Sequence, residues 1–559
     1  MKKGSNLWLK LLVGLLVCAG ALSLIAAGGQ QSGGGAASSA INTSNLNAPG
    51  VFPLAKQTVT FNVAVRPETS VENIETNAYT KMLEEKGNVK FNFNTYPSGN
   101  PGQEKILIEI AGGGTLPELL INFGFNDEQM YNLGTEGVAV PLNNYYDQLA
   151  HYIPQAMAKL TDKTFWDRLH SPDGNIYYLP FFIEQIGEMY ALRGWMNTAW
   201  LKKLNLPVPT TTADLRSVLE AFRDRDPNGN GRRDEIPAGG NVDVRGKLHE
   251  YLMNAFVYCD TRDYLVVNNG KVEPAYTKPE WREGLRYING LMNDGLILDQ
   301  LFTISAANLR GIIESQNVAT VGFFTAGLAG ALSPTNQLRL EYEPIPPIKG
   351  PQGVQWSVYM PTGLNKRYVI TKDCKNPEVA FRLGDFMCSE DASIWLRFGI
   401  PEIDWRLPKP GEKSMYEDIG MSARIVPILP WGATQNSHWS QGTAAILPLG
   451  ILDGQVTPPN PLDNEIWIAA AAPMYMNLAP PANTRVDFTL FNFEEMEARK
   501  DYQVAIINYV RESMALFIMG QRSIERDWDT YLRELDRMGL PKYIDITQSG
   551  YDRAIGKKK

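Results

Sequence analysis

From Val51 onward the chain alternates strand and helix patterns, and this alternation limits the fold more than any other feature. Thr58–Val65 (TVTFNVAV) places apolar residues at every second position, as a half-buried strand does. Asn77–Lys86 has a helical pattern ended by Gly87, and Val89–Tyr96 (VKFNFNTY) alternates again. Gln103–Ala111 reads as a short amphipathic helix, and Glu118–Phe123 (ELLINF) as a buried strand. A β-α-β-α-β order predicts an α/β layer with a largely parallel sheet. The Gly112–Gly114 run invites a phosphate-loop reading, but a phosphate cradle lies between a strand and the helix that follows it. Here the glycines follow a helix and lead into a strand, which predicts a C-terminal helix cap.

A second region opens near Tyr177 with the apolar, aromatic stretch Tyr178–Leu192 (YLPFFIEQIGEMYAL) and a helix over Asn197–Leu204. Beyond the Pro207-Val208-Pro209 turn, Thr211 and Thr212 cap a helix over Ala213–Arg225. Helical patterns recur at Lys247–Val257, Pro279–Asn293, Asn376–Cys388 and Ser393–Phe398, with a strand at Val318–Phe324 and a loop at Pro344–Gly353. Pro401–Pro480, rich in Pro, Gly, Trp and Tyr, predicts surface loops. Glu494–Met519 and Arg526–Met538 read as amphipathic helices, the second ended by Gly539-Leu540-Pro541. With 559 residues, 44% of them hydrophobic, the chain has apolar material for two or three domain-sized cores. No internal repeat is evident.

The sharpest local motif is Asp226-Pro-Asn228-Gly-Asn230-Gly231-Arg232-Arg-Asp234-Glu235. Its oxygen-bearing side chains stand at loop positions 1, 3, 5 and 9, with Gly at position 6 for the sharp turn. That is the spacing of an EF-hand-type calcium loop, in which the residue at position 7, here Arg232, offers its carbonyl. Pro237 occupies position 12, where a bidentate Glu is expected, and Glu235 can supply the missing carboxylate. The alternative is a loop of Asx turns without metal. A structural calcium ion is the cofactor this spacing predicts.

The remaining chemistry is mostly excluded. A net charge of −8 argues against a nucleic-acid-binding surface. No G-x-S-x-G, H-E-x-x-H or C-x-x-C motif occurs, and the four histidines (His151, His170, His249, His438) are scattered. Glu184/Glu188 and Glu402/Asp404 could flank a glycosidic bond, but such pairs arise by chance among 61 acidic residues. Cys374 and Cys388 flank a helical pattern that holds them roughly 18 Å apart, too far to bridge. Large cores account for most of the 12 Trp, 24 Tyr and 21 Phe.

Residues 1–29 read as an export signal, with Lys2, Lys3 and Lys10 ahead of the apolar run Leu11–Ala27 and small residues at Ala26–Gly29. That run is shorter than the roughly 20 residues of a comfortable membrane span. Cys18 raises lipidation, although Val17 stands where a small residue normally precedes a lipidated cysteine; cleavage after Gly28 or Gly29 is the alternative. Residues 30–50 read as a flexible leader.

Four segments, in order, resemble the family 1 extracellular solute-binding proteins of bacterial ABC importers, notably the LplA-like lipoproteins and alginate-oligosaccharide-binding proteins. They are Trp200–Thr211 (WLKKLNLPVPTT) with the following helix and calcium loop, Ile370–Met387, Arg397–Trp405 (RFGIPEIDW) and Phe517–Arg553. The resemblance implies a type II periplasmic-binding-protein fold: two α/β lobes with a hinge and interleaved chain crossings. Residues 51–186 plus 318–388 would form the N-terminal lobe, and 187–317 plus 389–559 the C-terminal lobe. It implies calcium ligands at Asp226, Asn228, Asn230, Arg232 (carbonyl), Asp234 and Glu235.

It further implies no catalysis, an oligosaccharide ligand, the transmembrane subunits of an ABC permease as partners, and a monomer held at the outer face of the cytoplasmic membrane or in the periplasm. Membrane contact would run only through a lipid anchor or the permease. Ligand contacts are expected from Asn122 and Phe123, Glu184 and Tyr190, Phe324, Trp356 and Tyr359, and Trp405, Trp431, His438 and Trp439. Trp195, Trp200, Trp395 and Trp528, in helical patterns, are expected in cores. Arg193 could meet the carboxylate of a uronic acid, with a structural ion pair as the alternative. The rival classes are a secreted carbohydrate-active hydrolase and a surface adhesin or sensor.

Overall fold

A computed structural model describes residues 40–327, 332–333 and 335–557. The export signal, Cys18 and most of the leader lie outside the described residues.

In chain order the strands are β1 Val59–Val65, β2 Val89–Thr95, β3 Leu119–Phe125, β4 Leu179–Ile183, β5 Arg193–Asn197, β6 Ile236–Gly239, β7 Leu265–Asn268 and β8 Lys271–Pro274. There follow β9 Val321–Ala326, β10 Tyr342–Ile345, β11 Asn365–Ile370, β12 Trp405–Arg406, β13 Val426–Pro427 and β14 Ala445–Leu447. Two sheets organise the chain, one ordered β14-β4-β11-β3-β1-β2 and the other β10-β5-β9-β6. Each has its own core. One gathers the β1–β4, β11 and β14 region, and the other the β5–β10 region with the C-terminal helices.

The predicted order of the opening elements holds, although Asn88 (φ 52°) and not Gly87 ends the first helix, and the second begins at Asn100, ahead of Gln103. Alternation in β1 exposes Thr60 and Asn62 and gives way to the buried run Val63–Val65, and β1 pairs in parallel with β2 and β3. Asn77 caps the intervening helix Ala78–Gly87 by accepting from the Tyr79 N–H. Gly112 caps the helix Asn100–Ala111, and Gly113 and Gly114 turn at positive φ toward β3. The sheet is mixed, not largely parallel: β11 runs antiparallel to both β3 and β4 because the chain re-enters this lobe from the other side.

The crossings differ from expectation. The chain leaves the first sheet between β4 and β5, but β9 and β10 both belong to the second sheet. β9, buried at all six positions, lies parallel to β6 and antiparallel to β5. The return therefore falls between β10 and β11, not at residue 318. Residues 390–398 and 439–447 then return to the first lobe, where the helix Glu390–Phe398 packs near β14 and β14 pairs with β4, while Tyr416 between them packs into the second core. A final crossing reaches the helix Asn464–Met476 in the second core.

Other departures are local. From Ile41 the chain is packed and not a free leader: Leu46 is buried and bridges to Ala55. The helix Ile524–Arg537 ends before Gly539 as expected, but Gly539 does not end the helical region. It precedes a further helix, Leu540–Ala554, with Pro541 in its first turn, where a proline's missing N–H costs nothing. Trp195, Trp200 and Trp528 are core residues and Trp395 is half-buried. Cys259, Cys374 and Cys388 are free thiols.

Candidate functional site

Ligands of open α/β sheets bind beyond the carboxyl ends of the strands, where successive crossovers leave on opposite sides. In the first lobe that point lies between β1 and β3, since β2 and β3 flank β1. Three non-glycine residues with left-handed backbone meet there: Asn122 (φ 63°), Ser440 (φ 49°) and Gln441 (φ 66°). Such conformations persist only where the surroundings impose them. The Asn122 amide donates to the Arg66 carbonyl at 2.9 Å and to Glu68 at 2.8 Å. Arg367 donates to the Gln441 carbonyl and lies 4.0 Å from the Phe181 ring centroid. Burial lowers the Arg367 guanidinium to about 10.

A second group of residues spans the two lobes. Arg397, in the last turn of the helix Glu390–Phe398, lies 3.6 Å from Glu465 in the first turn of the helix Asn464–Met476. Each charge also suits the dipole of its own helix end. Glu188, in the first crossover, pairs with Arg245, which follows β6; both are nearly half exposed. Arg193, at the start of β5, donates to the carbonyls of Gly187 and Gly327. Asp453 accepts the Ile186 N–H at 3.0 Å, and burial raises its carboxyl to about 7. Three guanidinium groups and three carboxyls thus share one electrostatic neighbourhood.

Trp431 roofs this seam. It is 47% exposed, and the Arg397 guanidinium lies 3.2 Å from its ring centroid. The His438 ring is parallel to it, within 10°, at 6.2 Å, a spacing that admits one planar layer between the rings. Burial, then the charge of Arg397, lowers His438 to about 4, so its imidazole is neutral near pH 7. A half-exposed indole beside carboxylates and guanidinium groups can receive the C–H face of a sugar and its hydroxyls together.

The structure divides the expected contact residues. Trp431 and His438 stand together, and Asn122 lies at the carboxyl edge of the first sheet. Phe123 is instead a core residue between Tyr96 and Phe125, and Phe324 is fully buried against Tyr342. Trp439 is 1% exposed, donates its indole N–H to Thr80 at 2.8 Å and meets Tyr79 edge-on. Glu184 is a strut: its carboxylate accepts from the Thr161 N–H and hydroxyl and from the N–H groups of Asp162 and Leu449, at 2.6–3.0 Å. Neither an acid–base role nor a ligand contact is left to it.

Tyr190 and Tyr359 pair at 5.6 Å, with Arg485 3.8 Å from the Tyr359 centroid. They neighbour Asp487, which lines a groove of about 850 Å³ between the helix Phe493–Ile518 and residues 126–128 and 168–172. Trp356 is half-buried in the second crossover, and Trp405 is half-buried with its indole N–H on the Gly399 carbonyl. The residues missed were Arg245, Arg397 and Glu465; only the Arg397–Trp405 motif pointed toward one of them.

The predicted calcium loop follows the helix Thr212–Asp224. Asp226 accepts from the N–H groups of Gly229 and Gly231 at 2.9 and 3.1 Å, and Asn228 from Asn230. Both Glu235 carboxylate oxygens are buried without a protein partner, and burial with the charges of Asp226 and Asp234 raises its carboxyl. An orphaned carboxylate amid like charges fits a hard cation. Among the described residues no group of three His, Cys, Asp or Glu side chains converges as a metal site. The fit therefore rests on Asn228, Asn230 and the Arg232 carbonyl as much as on Asp226, Asp234 and Glu235.

A family model of bacterial extracellular solute-binding proteins matches residues 69–394. The fructooligosaccharide ABC transporter substrate-binding protein FusA of Streptococcus pneumoniae serotype 4 is 29% identical over 529 residues, covering 91% of this chain and 92% of that one. Its structure in complex with kestose superposes with a TM-score of 0.72 at 22% identity, covering 89% of this chain and 100% of that one. A solute-binding protein of Bifidobacterium longum infantis associated with an HMO-binding ABC transporter gives 0.72 at 20% identity, covering 90% and 100%. The alginate-binding protein AlgQ2, without calcium ion, gives 0.63 at 22% identity, covering 89% and 99%.

Proposed function

This chain belongs to the bacterial extracellular solute-binding protein family, and from that premise we propose that it captures an oligosaccharide between its lobes and delivers it to an ABC permease. The observation that carries the reading is the seam where Trp431, half exposed, overlies Arg397 beside Glu465, Glu188 and Arg245. Parts of that seam come from both lobes, so a sugar held there stabilises their closure, and the permease reads the closed shape. The ligand leaves unaltered. Glu184, the only carboxylate of its predicted pair that is fully buried, is committed to structure.

The fructooligosaccharide protein and its kestose complex support an oligosaccharide as the class. Export places the chain outside the cytoplasmic membrane, and among the described residues no helix is long and apolar enough to cross one. Attachment would come from Cys18 or from the permease, and the working form is a monomer. A calcium ion in the Asp226–Glu235 loop would neutralise Glu235 and pin the loop against Gln316, which donates to Asp234 at 3.0 Å. Calorimetric titration with kestose and a panel of other oligosaccharides tests the reading. Saturable binding with no new reducing ends supports it, whereas product formation overturns it.

A further inference from the structure

Of the three left-handed residues at the switch point of the first sheet, the fold accounts for the side chains of two. Asn122, level with the end of β1, donates to the Arg66 carbonyl and to Glu68 Oε1. Ser440 is buried, with its Oγ 2.6 Å from that of Ser70 and accepting from Gln435 at 3.3 Å. Gln441 differs. Its N–H donates to the Leu396 carbonyl at 3.2 Å and its carbonyl accepts from Arg367. Among the described residues, however, its half-buried side-chain amide has no hydrogen-bond partner. At its φ of 66° a glycine is free of strain and an asparagine can bond to its own backbone, whereas a glutamine gains neither relief. The fold thus strains a residue whose side chain it does not use.

Resting on the transport reading above, we propose that Gln441 and Glu68 form a second sugar subsite beside Trp431, in which they read the hydroxyls of the neighbouring sugar unit. The Gln441 amide both donates and accepts and the Glu68 carboxylate accepts, so together they match a pair of hydroxyls. Asn122 ties the two. Its amide holds Glu68 Oε1 at 2.8 Å, and Gly442, next to Gln441, abuts that amide so closely that a β-carbon there would stand 3.4 Å from its nitrogen. Arg367, bonded to the Gln441 carbonyl, feels the Glu68 charge. The subsite is continuous with the seam: Leu396, which accepts the Gln441 N–H, precedes Arg397, and His438, parallel to Trp431, stands three residues before Gln441. A sugar chain that starts on Trp431 continues along the carboxyl edge of the first sheet, where half-buried polar groups fix its orientation.

The test is calorimetric titration at pH 7 with a trisaccharide panel (kestose, maltotriose, xylotriose, trigalacturonate and trimannuronate), together with thermal unfolding, on the parent and on Gln441→Gly, Gln441→Ala and Glu68→Gln. Gln441→Gly removes the amide and the strain at once, so it should bind the parent's best trisaccharide about tenfold more weakly while melting no lower than the parent. Gln441→Ala, which keeps the strained backbone, should lose the same affinity. Glu68→Gln keeps an oxygen for Asn122 and should also weaken binding about tenfold. Gln441→Gly and Gln441→Ala binding within about twofold of a parent that binds overturns the subsite while leaving the transport reading intact. A Gln441→Gly variant that melts below the parent also overturns it, since the side chain then serves the fold. A parent that binds no member of the panel overturns both readings.

Discussion

Trp431 and Trp439 lie in one Gly-, Asn- and Ser-rich stretch yet differ sharply in exposure, and substituting each in turn tests the proposal that the first serves the cleft and the second the core. Trp431 is 47% exposed; for an indole of up to about 250 Å² this leaves roughly 110 Å² open to a ligand. A pyranose or furanose face covering half of that removes about 55 Å² of apolar surface from water, worth about 1.5 kcal/mol at ~25 cal/mol per Å². Trp431→Ala should therefore weaken binding of the preferred trisaccharide about tenfold. Its melting temperature should change little, because the ring packs mainly on Arg397 and solvent. Trp439→Phe keeps an aromatic ring but loses the 2.8 Å bond to Thr80 and part of the packing against Tyr79 and Phe93. That should cost about 2–3 kcal/mol of stability with affinity nearly intact. Differential scanning calorimetry and titration calorimetry on the two variants read both quantities. Trp431→Ala binding within twofold of the parent, or Trp439→Phe losing affinity at unchanged melting temperature, would refute the division.

Three further outcomes follow from the same structure. Glu184→Gln puts an amide N–H₂ among the N–H groups of Thr161, Asp162 and Leu449, and should destabilise the fold by about 3–5 kcal/mol in urea unfolding; a loss under 1 kcal/mol would contradict the strut. EDTA should lower the melting temperature of the parent but not of Asp234→Ala, and an equal shift in both would count against the calcium loop. Asp453 is held at about 7 when folded, well above an unfolded aspartate, so its contribution to stability is present below about pH 4 and lost as pH rises through 7. Subtracting the stability–pH curve of Asp453→Asn from that of the parent should give a difference that falls across that window, and a flat difference would contradict the shift. Taking the difference cancels the opposing contribution of His438, whose depressed value favours the fold as pH rises above about 4.

Much of the architecture was legible because local periodicity and local packing agree. The strand pattern of Val59–Val65, the helical pattern after Asn77 and the Gly112–Gly114 stop each follow from residues within one element. The lobe boundaries were not, since β9 is apolar but for Thr325 and its pattern suits the centre of either sheet; only its pairing with β5 and β6 decides. The candidate site is harder to read for a related reason. A loop tryptophan can be recognised as a candidate, but whether it faces Thr80 or solvent depends on residues some 350 positions away. Glu465 was silent, and Arg397 was marked only by the Arg397–Trp405 motif, because their pairing joins two helices far apart in the chain.

The central claim is that an oligosaccharide is held between the two lobes and released unaltered. It is tested most directly by titrating the calcium-loaded chain with the trisaccharide panel while assaying the mixture for new reducing ends. Saturable one-to-one binding to an oligosaccharide is expected, weakened by Trp431→Ala, with the sugar recovered intact. Hydrolysis of the sugar, or saturable binding indifferent to Trp431→Ala, would contradict it.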